Sequence, residues 1–80
     1  MKYLNFLHSD KHLTLIGEFE ESQIPSAISQ YVHSVNPRFT IYYVRVWKDQ
    51  NGVEWRDVGS HSEFFLVSDK KLDRRKKYGI

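Results

Sequence analysis

The sequence predicts an α+β domain of order ββαβββ, a five-stranded antiparallel sheet packed on one helix and followed by a basic C-terminal tail. Three observations predict it. Apolar, β-rich runs fall near residues 2–8, 12–19, 38–48, 53–58 and 61–67, one stripe of helical periodicity lies between the second and third runs, and turn residues separate the others. At 80 residues the chain is sized for one hydrophobic core. A domain this small gains little net stability from burial, so its five Phe, five Tyr and two Trp carry a large share of it. Residues 1–68 are read as the domain and residues 69–80 as a flexible tail.

The first two runs are separated by Ser9-Asp10-Lys11, turn chemistry that closes an antiparallel hairpin. In the second run Leu13, Leu15, Gly17 and Phe19 alternate with Thr14, Ile16 and Glu18, and Gly17 marks a candidate bulge. Ser22 is placed to cap a helix with Pro25 in its first turn. Its apolar stripe is Ile24, Ala27, Ile28, Tyr31, Val32 and Val35, and Asn36-Pro37 ends it because a residue before proline is pushed out of the α region.

Residues 38–48 are dense in β-branched and aromatic side chains and read as the central strand. A three-residue loop Gln50-Asn51-Gly52, with Gly52 left-handed, sets Lys48 opposite Glu54, Trp47 opposite Trp55 and Arg45 opposite Asp57. A two-residue Asn-Gly loop would oppose the like charges Asp49 and Glu54. Gly59-Ser60 fits a type II′ turn, which would pair Arg56 with Glu63 and Trp55 with Phe64.

This register divides the last three strands into two apolar faces. One carries Phe39, Ile41, Tyr43, Trp47, Val53, Trp55, Phe64 and Leu66, and is expected under the helix. The other carries Tyr42, Val44, Val46, Val58, Phe65 and Val67 among polar residues. A sheet apolar on both faces needs two covers, and the chain supplies one helix. The second face is therefore the expected partner-binding surface, with Tyr42, Val44, Val46, Val58, Phe65 and Val67 as its residues.

Charge is unevenly placed. Residues 1–68 carry six basic side chains against eight acidic ones, a net −2, whereas residues 69–80 carry six basic against two acidic, a net +4. The six are Lys70, Lys71, Arg74, Arg75, Lys76 and Lys77. They give a second reading, a nucleic-acid binder in which the tail neutralises phosphates and Tyr42 and Phe65 stack on bases. The acidic body argues against it, because nucleic-acid binders present broad basic surfaces.

There is no cysteine, hence no disulfide framework and no thiolate zinc site. With no signal peptide and no apolar run of membrane-spanning length, a cytoplasmic protein that does not enter a membrane is expected. His8 and His12 flank Asp10 near the first turn but lack metal-site spacing, so no metal or other cofactor is expected. Ser60, His61, Ser62 and Glu63 are the residue types of an acyl-transfer site, yet neighbours on a strand point to opposite faces and cannot form its relay. No phosphate loop or nucleotide fingerprint occurs, and no catalytic residue is assigned.

The stretch Trp55-Arg56-Asp57-Val58-Gly59-Ser60-His61-Ser62-Glu63-Phe64-Phe65 resembles a segment of small uncharacterised accessory proteins of Gram-positive phages and prophages. That resemblance implies a mobile-element protein that binds and modulates a host or self protein. The expected function is thus a small, non-catalytic protein-binding module whose partner is another protein or a second copy of itself.

Overall fold

The computed structural model describes residues 1–59, 62–73, 75 and 78. Its strands are β1 (Lys2–Leu7), β2 (Leu13–Phe19), β3 (Tyr43–Lys48), β4 (Glu54–Gly59) and β5 (Glu63–Ser68). One α-helix, α1 (Ile24–Val35), lies between β2 and β3. All five strands form one antiparallel sheet in the order β2-β1-β5-β4-β3. The order ββαβββ is the one the sequence predicts. Because β2 and β3 occupy opposite edges, the chain between them must cross a whole face of the sheet, and α1 makes that crossing.

The β1–β2 hairpin contains a bulge. Leu4 pairs with Gly17 but Asn5 pairs with Leu15, so Ile16 is the extra residue. One extra residue reverses which side of the sheet the following side chains face. Leu13 therefore packs with Leu7 on one face, while Ile16 and Phe19 pack with Leu4 on the other. A Cβ at Gly17 would lie 3.3 Å from the Phe19 ring.

The helix is entered through a short 3₁₀ turn, Glu21–Gln23. Ser22 lies inside that turn, so the expected capping role falls to Glu20, whose N–H donates to Gln23 Oε1 at 3.0 Å in a reciprocal capping box. Ile24, Ala27, Ile28 and Val32 are buried, as the stripe predicts, whereas Val35 at the last turn is exposed. Asn36 is extended and ends the helix before Pro37. The strand expected from residue 38 begins only at Tyr43, because Phe39 leaves the sheet to pack against α1. His33 Nε2 donates to the Phe39 carbonyl at 2.8 Å and holds this segment to the helix.

The β3–β4 hairpin has the predicted register, with Lys48 opposite Glu54, Trp47 opposite Trp55 and Arg45 opposite Asp57. Gly52 has φ +80°, the left-handed conformation that side chains disfavour. Asp49 organises the turn: Oδ1 accepts the Asn51 and Val53 N–H groups at 2.8 and 3.0 Å, and Oδ2 accepts Trp55 Nε1–H at 2.9 Å. The β4–β5 register differs from expectation by two residues. Val58 faces Glu63 and Trp55 faces Leu66, so Arg56 faces Phe65 rather than Glu63. Gly59 is the last residue of β4, paired with Tyr43, instead of the first residue of a two-residue turn. Arg56 binds Glu54 along its own strand at 2.8 Å, which leaves no need for the expected cross-strand pair. Ser60 and His61 lie outside the described residues. A shift of two preserves the side-chain faces.

The covering of those faces is the reverse of the expectation. Under α1 lie Leu4, Val58, Phe65 and Val67, joined by Phe6 and Phe39. The face with the tryptophans forms a second cluster of Leu7, Leu13, Val53, Trp55 and Leu66, against which Trp47, Phe64, Leu72 and Tyr78 pack. Leu72 and Tyr78 belong to the segment expected to be a flexible tail. The Lys2–Asp69 ion pair and the bond from Ser68 Oγ to the Lys70 carbonyl secure its start. The physical reason for the reversal is polarity. The tryptophan face also holds the buried Asn5 and Asp57, whereas the sheet residues buried under the helix, Leu4, Val58, Phe65 and Val67, are all apolar.

Burial raises the pKa of Asp49, but the hydrogen bonds from Trp55, Val53 and Asn51 outweigh it and hold the carboxyl below its ordinary value. A carboxyl with a lowered folded pKa stabilises the fold above its unfolded value near ~3.9, and that stability is lost as pH falls through the folded pKa. In Asp49→Asn a donor meets a donor at either the turn amides or Trp55 Nε1. The substitution should cost about 1–3 kcal/mol at neutral pH in urea denaturation. The difference from wild type should narrow on acidification below about pH 4.

Candidate functional site: an open strand edge

Strand β3 ends the sheet, with β4 on one side and, among the described residues, no strand on the other. The Asp49 N–H donates to the Val53 carbonyl at 3.0 Å, which fixes which residues bond inward. Backbone bonding alternates along an antiparallel pair, so Trp47, Arg45 and Tyr43 bond to β4 and the N–H and C=O groups of Val46 and Val44 point out of the sheet. The side chains of this second set are exposed as well: Tyr42 is 76%, Val44 54% and Val46 53% exposed. Val44 pairs with the buried Val58, so Val44 and Val46 share the helix face but lie beyond its cover, and Tyr42 directly precedes the strand. An apolar ledge and a row of outward-pointing backbone groups thus coincide on one edge.

The other face of β3 is fixed in place. Trp47 stacks on Trp55 with ring centroids 5.9 Å apart and planes 16° apart. Arg45 donates from Nε to Asp57 Oδ2 at 3.1 Å and also from Nη2, and its guanidinium lies 5.8 Å from the Tyr43 ring centroid. The hydrogen bond to Asp57, and then its charge, raise the Arg45 pKa, so the cation persists. Asp57 is fully buried, and Ser62 Oγ also donates to its Oδ2 at 3.3 Å. Edge strands commonly carry outward charges, prolines or bulges that block pairing. Here the arginine of β3 is tied to Asp57 on the tryptophan side of the sheet while its side chain stays largely exposed, and Lys48 stands at the strand end.

Of the six residues expected to form a partner surface, Tyr42, Val44 and Val46 are exposed together. Val58, Phe65 and Val67 are buried beneath α1 and offer nothing to a partner. Burial of Phe65 also removes it as a base-stacking residue. Lys70, Lys71 and Arg75 are exposed, with Arg75 Nε 3.4 Å from Asp73. Arg74, Lys76 and Lys77 lie outside the described residues.

Near the first turn, His8 and His12 stack with centroids 3.8 Å apart. His8 Nε2 bonds Thr14 Oγ1 at 2.7 Å, and Asp10 accepts the His12 N–H at 3.1 Å and its ring Nδ1–H. Burial and the neighbouring His12 lower the His8 pKa, which favours its neutral form. No group of three metal-ligating side chains forms among the described residues. A groove of about 430 Å³ opens between the helix and the sheet, floored by Phe6, Tyr31 and Phe39 with His8 and Glu63 at its rim. Val32, Val35 and Asn36 complete its described lining.

No described helix is long and apolar enough to cross a membrane. No family model, curated protein or solved structure matches the chain.

Two aromatic residues measure the division between core and edge. Phe65→Ala should destabilise the domain by about 3–5 kcal/mol, the cost of a large buried aromatic. Tyr42→Ala should remain within ~0.5 kcal/mol of wild type. Thermal and urea unfolding of both variants gives the comparison.

Proposed function

We propose that the protein is a non-catalytic protein-binding module that accepts an extended segment of a partner alongside β3. The observation that carries this reading is the coincidence, on one open edge, of outward backbone groups at Val44 and Val46 with the exposed side chains of Tyr42, Val44 and Val46. Strand addition draws affinity from main-chain bonds and specificity from alternate side chains, and this edge supplies both. The resemblance of residues 55–65 to small phage and prophage proteins supports the class of module, an accessory protein of a mobile element that modulates a host or self protein. The absence of cysteine suits work in the reducing cytoplasm.

Selection from a library of extended peptides tests the reading. Val46→Pro removes an outward N–H without removing a bond to β4, and proline is tolerated on edge strands. Peptide binding should weaken by at least about tenfold, equivalent to one lost hydrogen bond. The melting temperature should change little. Selected peptides that bind Val46→Pro as well as wild type would place the binding surface elsewhere.

A further inference from the structure

We infer that the segment paired alongside β3 is β3 of a second copy of this chain, in the antiparallel register that sets Val44 opposite Val44. This rests on the edge-strand reading and supplies its partner.

The β3 edge is self-complementary. A two-fold axis perpendicular to the sheet keeps the helix faces of both copies on the same side, so each residue meets one of the same parity. Outward bonding groups sit on the even-numbered residues, which limits the central registers to three. Centring on Val46 sets Val44 against Lys48 and Tyr42 against Gln50, pairing apolar side chains with polar ones. Placing Val44 opposite Val46 sets Arg45 against Arg45 at a pair with no backbone bonds between its members, where side chains approach most closely. Centring on Val44 pairs Tyr42 with Val46 twice and Val44 with itself, so six apolar side chains from two chains form one strip. On the opposite face the same register sets each Arg45 against the second copy's Tyr43, an arrangement like the Arg45–Tyr43 contact already present within one chain.

The other sheet edge favours the same outcome. Strand β2 is interrupted by the bulge between its pairs with Leu4 and Asn5, so its outer edge is not a regular template for β3. A β3–β2 contact would also be head-to-tail and propagate, whereas β3–β3 closes after two copies. The product is one ten-stranded sheet with both helices on the same side.

The chain has no cysteine, so single cysteines report the register directly. Val44→Cys places two thiols across the two-fold axis with Cα atoms about 5.5 Å apart, within disulfide reach. Val46→Cys places them roughly 13 Å apart along the strands, out of reach. On mild oxidation Val44→Cys should become a covalent dimer and Val46→Cys should not. In sedimentation the wild type should rise with concentration from 9.6 kDa toward twice that mass. Val44→Asp should stay monomeric with its far-ultraviolet circular dichroism retained. A wild type that remains monomeric with Val44→Cys uncrosslinked would overturn the inference, as would Val46→Cys crosslinking as readily as Val44→Cys. Peptide capture sensitive to Val46→Pro in a strictly monomeric chain would overturn self-pairing while leaving the open-edge reading in place.

Discussion

The structure depends on the burial of β5 from both sides. Phe65 and Val67 point toward the helix and Leu66 points the other way, and all three are almost completely removed from solvent. A central strand of this kind cannot be satisfied by one layer. Helix α1 supplies one cover as it crosses from β2 to β3. The tryptophan pair, Phe64, Leu72 and Tyr78 supply the other. The bulge in β2 serves the same end, since it lets one edge strand give Leu13 to one cluster and Phe19 to the other.

Two covers built from so short a chain do not reach the end of the sheet. The helix extends over β1, β5 and Val58, and beyond Val58 the helix side of β3 is bare. On the opposite side β3 is anchored by Trp47 on Trp55 and by Arg45 on Asp57. The strand is consequently held in register while one of its faces and its outer backbone are left open. An anchored open edge is better prepared to accept a strand than a mobile one, because less ordering entropy is lost on pairing.

Much of the fold was legible in the sequence because local chemistry dictates it. Asn51-Gly52 and the charge pairs define the β3–β4 register, and the spacing from Ile24 to Val32 defines the helix. The β4–β5 register was not, since the proposed pairing of Arg56 with Glu63 competes with Glu54 two residues away on the same strand. The helix-covered face was misjudged. The pairing of Arg45 with Asp57, two residues from Trp47 and Trp55, puts both on the tryptophan face, and a buried carboxylate requires a partner that a purely apolar helix stripe could not provide. That signal was readable, and it would have exchanged the two covers. The second cover was hidden because Leu72 and Tyr78 are isolated apolar residues within a charged run, where periodicity carries no information. Only half of the expected partner surface is exposed for the same reason: Val44 and Val46 share a face with Val58, Phe65 and Val67, and only the position of the helix separates them.

Residue-resolved amide hydrogen exchange, at a concentration where the chain sediments as a monomer, tests the central claim most directly. The account predicts slow exchange throughout β5 and an alternating pattern along β3, with Arg45 and Trp47 slow and Val44 and Val46 fast. Equal protection of Val44, Arg45, Val46 and Trp47 in the monomer would show that the outer edge is already occupied, and would contradict it.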